Sequence, residues 1–172
     1  MMMKKLLTLI CFAILFTSCV SHLPITGKYE TKFIETEIEG GFEETWSSIV
    51  EILAKSGTNF RIIDKSSGLI TTEKTSFTSQ STYEVKFGKP NNPNAFILTS
   101  RTSDNNLPIT YKDVFVNYNV LVKPISTAKS MMMVNLYNIS IIGGEQFPYK
   151  AVSLGNFEKR LAEMVKESIT KK

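Results

Sequence analysis

At 172 residues the chain is long enough for one domain and short for two. Its 42% hydrophobic, 10% aromatic and 21% charged residues are globular composition and exclude a disordered or collagen-like chain. The formal charge is +4, from 20 Lys and Arg against 16 Asp and Glu, and one His with two Cys leaves little imidazole or thiol chemistry.

Lys4 and Lys5 precede an apolar run over 6–16, and Thr17, Ser18 and Cys19 follow. A helix needs roughly 20 residues to cross the hydrocarbon core, so this run is too short. A basic start, a short apolar stretch and small residues before a cleavage point make a secretory leader. Ending as Phe16-Thr17-Ser18-Cys19, it resembles the lipobox of bacterial lipoproteins. That resemblance implies cleavage before Cys19, lipidation there by palmitate and companion acyl chains, and an anchor in the membrane. One acyl chain binds a bilayer marginally, whereas two or more hold it. Val20 rather than Asp follows Cys19, and no acidic cluster lies in 20–23. By resemblance to Gram-negative lipoproteins, this implies the outer membrane and its periplasmic face. An ordinary cleaved leader before a secreted domain is the alternative.

Discarding Lys4 and Lys5 halves the excess of basic over acidic side chains. No basic patch with interleaved aromatics remains, so nucleic acid is not an expected partner. Cys11 leaves with the leader and Cys19 carries lipid, so the domain has neither a free thiol nor a disulfide. The chain therefore divides into a leader over 1–18, a lipidated tether over 19–28 containing Pro24 and Gly27, and a single domain over 29–172.

A first strand is expected over 28–38, and Gly40-Gly41 ends it. Phe42, Trp46, Ile49, Val50 and Leu53 form one helical stripe, with Glu43 and Glu44 at its start, Lys55 at its end and Gly57 as its stop. Strands over 59–64 and 69–77 flank the turn Lys65-Ser66-Ser67-Gly68 as a hairpin. Tyr83, Val85 and Phe87 alternate with Thr82, Glu84 and Lys86, which predicts a strand with its aromatic side inward. A Pro- and Asn-rich loop over 89–94, a strand over 95–102 and a loop over 103–108 follow.

The clearest strand spans 111–122, with Val114, Val116, Tyr118, Val120 and Val122 on one face. The next, over 131–142, alternates less cleanly, from either a bulge or burial on both faces, and Gly143-Gly144 closes it. A last helix starting at Ser153 carries Leu154, Phe157, Leu161, Met164, Val165 and Ser168 on one side, with Glu158 among the solvated residues. The expected fold is α+β: an antiparallel sheet of about six or seven strands packed against two helices, helix-grip-like.

Chemistry is sparse. His22 falls in the tether, where no packed shell can orient it, and no metal-ligand spacing, phosphate loop or Ser-x-x-Lys motif is present. No cofactor is expected. Asp64, Glu73 and Glu84 are dispersed among strands and turns, where they read as solvated side chains. The run Met131-Met132-Met133 suits either core packing or an adaptable binding surface, because methionine is flexible and polarizable. An apolar cavity between helix and sheet would draw its lining from Phe115, Tyr118, Met131 and Met133.

The stretch Phe42-x-x-x-Trp46-x-x-Ile49-Val50-x-x-Leu53-x-x-x-Gly57, followed by Ile62-Ile63-Asp64-Lys65-Ser66-Ser67-Gly68-Leu69, resembles the helix-grip domains of bacterial envelope lipoproteins, such as the C-component lipoprotein of the outer-membrane barrel-assembly machinery. The resemblance implies a structural motif without catalytic residues. A non-enzymatic, membrane-anchored module that binds or scaffolds envelope proteins is the leading expectation. A lipid or small hydrophobic ligand in a helix–sheet cavity is the second, and a carboxylate hydrolase using Asp64, Glu73 or Glu84 the third.

Overall fold

The computed structural model describes residues 22–29, 33–85, 88–102, 113–142 and 150–171, so the leader, Cys19, the loop 103–108 and Gly143-Gly144 lie outside it. In chain order come β1 (His22–Leu23), β2 (Ile34–Ile38), α1 (Phe42–Lys55), β3 (Phe60–Asp64), β4 (Leu69–Thr72) and β5 (Thr75–Ser76). After a 3₁₀ turn come β6 (Ser81–Val85), β7 (Lys89–Pro90), β8 (Ile97–Thr99) and β9 (Arg101–Thr102). The long strands β10 (Asp113–Ser126) and β11 (Lys129–Ile142), then β12 (Ala151–Ser153) and α2 (Asn156–Thr170), complete the described chain.

The expected stripe of α1 buries Trp46, Ile49 and Leu53. Phe42 stacks on Trp46 with ring centroids 6.0 Å apart. Glu43 and Glu44 stand in the first turn and Lys55 in the last, complementing the helix dipole. The helix buries two hydroxyls as well, and one of them, Thr45, accepts a 2.8 Å hydrogen bond from Ser130 of β11, which ties helix to sheet.

The main sheet runs β2-β11-β10-β4-β3, with β5 also paired to β10, and every pair is antiparallel. This is the α+β architecture expected from the sequence. The β3–β4 hairpin closes as predicted. Gly68 has φ of 73°, and a Cβ there would come within 2.1 Å of the Val122 carbonyl, so the turn needs glycine. Val114, Val116, Tyr118, Val120 and Val122 of β10 are all buried, and α1 and α2 pack against this face and against each other.

A bulge blurs the alternation of β11. Its pairing with β10 slips between Phe115↔Ser140 and Asn117↔Tyr137, and Asn138 there has φ of 50°. Before the bulge Met132, Val134 and Leu136 face the core; beyond it Ile139 and Ile141 do. One extra residue exchanges the two faces of a strand. The Asn138 side-chain amide donates to Asn117 Oδ1 at 2.9 Å, and Asn117 Nδ2 donates to the Thr72 carbonyl at 2.9 Å. This relay satisfies the buried Asn117 and links three strands across the bulge.

Three features depart from expectation. First, β6 and β8 lie in a separate four-stranded sheet, β12-β8-β6-β7, and pair in parallel. The chain leaves β6, returns antiparallel as β7, then crosses through Asn91, Pro93 and Asn94 to the other side of β6. Second, β6 buries Thr82 and Glu84 while Tyr83 and Val85 are half-buried, the reverse of the predicted sides. Third, α2 begins at Asn156, after the unpredicted β12, and its buried face carries Glu158, Leu161, Ala162 and Val165 while Met164 is exposed. The positions i, i+3, i+4 and i+7 counted from Glu158 face the core, which rotates the stripe away from Met164.

Candidate functional site

The four residues expected to line a helix–sheet cavity do not converge. Side chains alternate along a strand, so Met131 and Met133 point to the face opposite the buried Met132. Phe115, between the buried Val114 and Val116, lies on that same outer face. Tyr118 alone points inward. Its ring centroid is 4.8 Å from that of Phe157 and 6.5 Å from that of Phe77, and its hydroxyl pairs with Thr58 Oγ1 at 2.9 Å. Burial pushes the Tyr118 phenol above its ordinary pKa, although the Thr58 hydrogen bond opposes this. Phe77, Phe96, Phe157 and Tyr118 form a packed aromatic cluster between α2 and the sheet.

The three dispersed carboxylates have separate roles. Asp64 closes its own turn, accepting from Ser66 Oγ at 2.6 Å, Ser67 Oγ at 2.7 Å and Ser66 N at 3.0 Å, and the hydroxyls of Ser66 and Ser67 hold its pKa low. Glu73 is exposed. Glu84, expected at a solvated position, is only 8% exposed.

Glu84 holds the N-terminal segment against the second sheet. Its Oε2 accepts from Thr26 N at 2.7 Å and Thr26 Oγ1 at 2.9 Å, and its Oε1 accepts from Gly27 N at 2.7 Å. The Tyr29 hydroxyl donates to the Gly88 carbonyl at 2.7 Å and stands 3.2 Å from Glu84 Oε1. Burial disfavours ionised Glu84, but the donors of Thr26, Gly27 and Tyr29 outweigh it and lower its pKa. Tyr29 moves upward, through burial first and then its contact with Glu84. Gly88, at φ of 69°, brings its backbone so close to Gly27 that an added Cβ would lie 3.1 Å from the Gly27 Cα. Within the stretch expected as a tether over 19–28, Thr26 and Gly27 are therefore bound to the fold, and β1 pairs His22 with Thr102 and Leu23 with Arg101. Cys19 lies outside the described residues.

A groove opens beside this strap, between it and the start of α2. Its volume is about 320 Å³, and Lys28, Tyr29, Phe33, Ile34, Leu154 and Lys159 line it. Phe33 is 50% exposed. Ser153, in the same wall, donates to Glu158 Oε1 at 2.7 Å and accepts from Gly155 N at 3.0 Å. Glu158 is 2% exposed, burial raises its pKa, and its Oε2 has no partner among the described residues. The groove joins apolar wall to ammonium groups, which suits an amphiphilic anion. Sequence reasoning missed it because its lining comes from the tether, β2 and the approach to α2, three segments far apart in the chain. For Glu84 the sequence carried no local signal, because its partners Thr26 and Gly27 lie far from it in the chain.

No family model and no curated protein matches the chain. Among solved structures it is similar to the adenylate sensor of AMP-activated protein kinase in complex with ZMP, at 11% identity and TM-score 0.39, covering 84% of this chain and 100% of that one. A conserved protein from Geobacillus kaustophilus is similar at 15% identity and TM-score 0.33, with 80% and 90% covered. The Zhui aromatase/cyclase from Streptomyces sp. R1128 is similar at 7% identity and TM-score 0.31, with 81% and 90% covered. These likenesses assign no activity. Among the described residues no three His, Cys, Asp or Glu side chains could together hold a metal ion, and no helix is long and apolar enough to cross a membrane.

Proposed function

We propose that this chain is a bacterial envelope lipoprotein, anchored through acylated Cys19 on the periplasmic face of the outer membrane, that acts without catalysis as a binding or scaffolding module for envelope proteins. In this reading it works as the helix-grip envelope lipoproteins that its sequence resembles. The supporting observation is the edge strand β3. It ends the sheet order β2-β11-β10-β4-β3, and Ile62 and Ile63 on it are 46% and 49% exposed. An edge strand with exposed apolar side chains can accept a further strand from a partner, the backbone supplying affinity and the side chains specificity.

A photoreactive residue replacing Ile63 tests this in intact cells at native expression. One defined envelope protein should crosslink there and not from the same residue placed at Lys55. Recovery of uncrosslinked monomer alone would overturn the proposal. The groove beside the strap favours a second reading, a lipid or small hydrophobic ligand bound on the outside of the fold.

A further inference from the structure

The groove's chemistry and the place where the chain is strapped point to one occupant. Lys28 and Lys159 line the groove, and neither forms an ion pair or side-chain hydrogen bond among the described residues. The carboxylates nearby form no ion pair with them among the described residues, although the charge of Lys159 acts on the buried Glu158. Glu84 is engaged by Thr26 and Gly27, and Glu158 is buried behind Ser153. Against the two ammonium groups stand the apolar Phe33, Ile34 and Leu154. Phosphate with adjoining methylenes matches that pairing of charge and apolar wall.

Position supplies the second argument, which rests on the acylation of Cys19 proposed above. Cys19 stands three residues before His22, where β1 begins, so at full extension about 10 Å separates the anchor from the folded body. Thr26 and Gly27 are then fixed by Glu84 beside the groove. This end of the domain has no slack with which to leave the bilayer surface. We propose that the groove between Lys28 and Lys159 takes the phosphate of an anionic phospholipid in the leaflet that holds Cys19, so that the domain lies on the membrane with its strapped end down.

Phe33→Trp places a reporter in the groove, with the unaltered chain giving the Trp46 background. The acylated protein is reconstituted into phosphatidylglycerol or phosphatidylcholine vesicles carrying a headgroup nitroxide lipid. Quenching of the new tryptophan should be at least twofold stronger in phosphatidylglycerol, and Lys28→Glu with Lys159→Glu should lower it to the phosphatidylcholine level. Equal quenching in both lipids, or quenching indifferent to the two substitutions, overturns the proposal. Palmitate labelling in cells, with Cys19→Ser as control, reads the anchor separately. If labelling fails, the full mature chain prepared without acylation and mixed with the same vesicles decides. Selective quenching there sustains the headgroup site and its absence removes it. Glycerol 3-phosphate altering the reporter's emission as strongly as vesicles would assign the groove to a soluble phosphate and overturn the lipid.

Discussion

The two sheets of this protein are held by different physics. The main sheet and its helices cohere through apolar burial: Ile38, Ile49, Val116, Val120 and Val165 are all wholly buried in one cluster. The second sheet holds the N-terminal strap through a carboxylate, two amides and a hydroxyl, with two glycines in close approach. Apolar packing is insensitive to pH and spread over many contacts. The strap rests on few bonds, and three of them converge on one ionised side chain. A lesion in the first region should therefore weaken the whole molecule, and a lesion in the second should free one segment.

The largest effect is expected from Ile49→Ala, which opens a cavity between α1 and β10 and should cost about 2–5 kcal/mol of global stability in urea titration. Glu84→Ala leaves the amides of Thr26 and Gly27 without their acceptor, worth about 1–3 kcal/mol for a group kept from water. The loss should be local. Hydrogen exchange at Thr26 and Gly27 and tryptic cleavage after Lys28 should rise while the urea midpoint of the main transition stays within error; a concerted global shift would erase the distinction between the regions. Gly88→Ala should release the strap in the same way, since a side chain in the left-handed region costs about 1–2 kcal/mol before its clash with Gly27 is counted.

Acid separates the regions by sign. The lowered pKa of Glu84 means the folded chain binds fewer protons there than the unfolded one. Strap protection is then complete above the ordinary carboxylate value and lost as pH falls through the lowered one. Glu158 behaves oppositely, its raised pKa making the folded chain hold a proton longer. Its contribution to stability declines as pH rises from the ordinary value through the raised one, and Glu158→Gln should flatten that part of the stability–pH curve. The smallest effect belongs to the exposed pairs of Lys129 with Glu37 and Glu39, each at 2.7 Å. Lys129→Gln should leave the urea midpoint unchanged within error, because exposed ion pairs are screened by solvent.

Legibility follows the same division. The α1 stripe, the β3–β4 turn and the buried face of β10 were readable because each repeats a local period, 3.6 or 2, that one face must bury. Even the irregularity of β11 left a trace, since Asn138 shifts the apolar positions from even to odd numbers. The candidate site left less. Phe115, Met131 and Met133 are apolar and near Tyr118 in a two-strand diagram, but the pleat sends them to the other side of the sheet. Glu84 and Glu158 read as solvated because charge predicts exposure unless a partner is known. Thr26 and Gly27 lie over fifty residues from Glu84, and no local pattern announces such a pairing.

By itself, then, the sequence determined what short-range periodicity and composition can encode: the α+β class, the helix that seats on the sheet and the antiparallel strands of the core. Tertiary structure alone decided that β6 and β8 pair in parallel in a second sheet. It also decided that Phe77, Phe96, Tyr118 and Phe157 cluster at α2, that a buried glutamate straps the N-terminal segment, and that Lys28 and Lys159 share a groove. Those outcomes arise between segments distant in the chain, where contact energy rather than local period selects the partner.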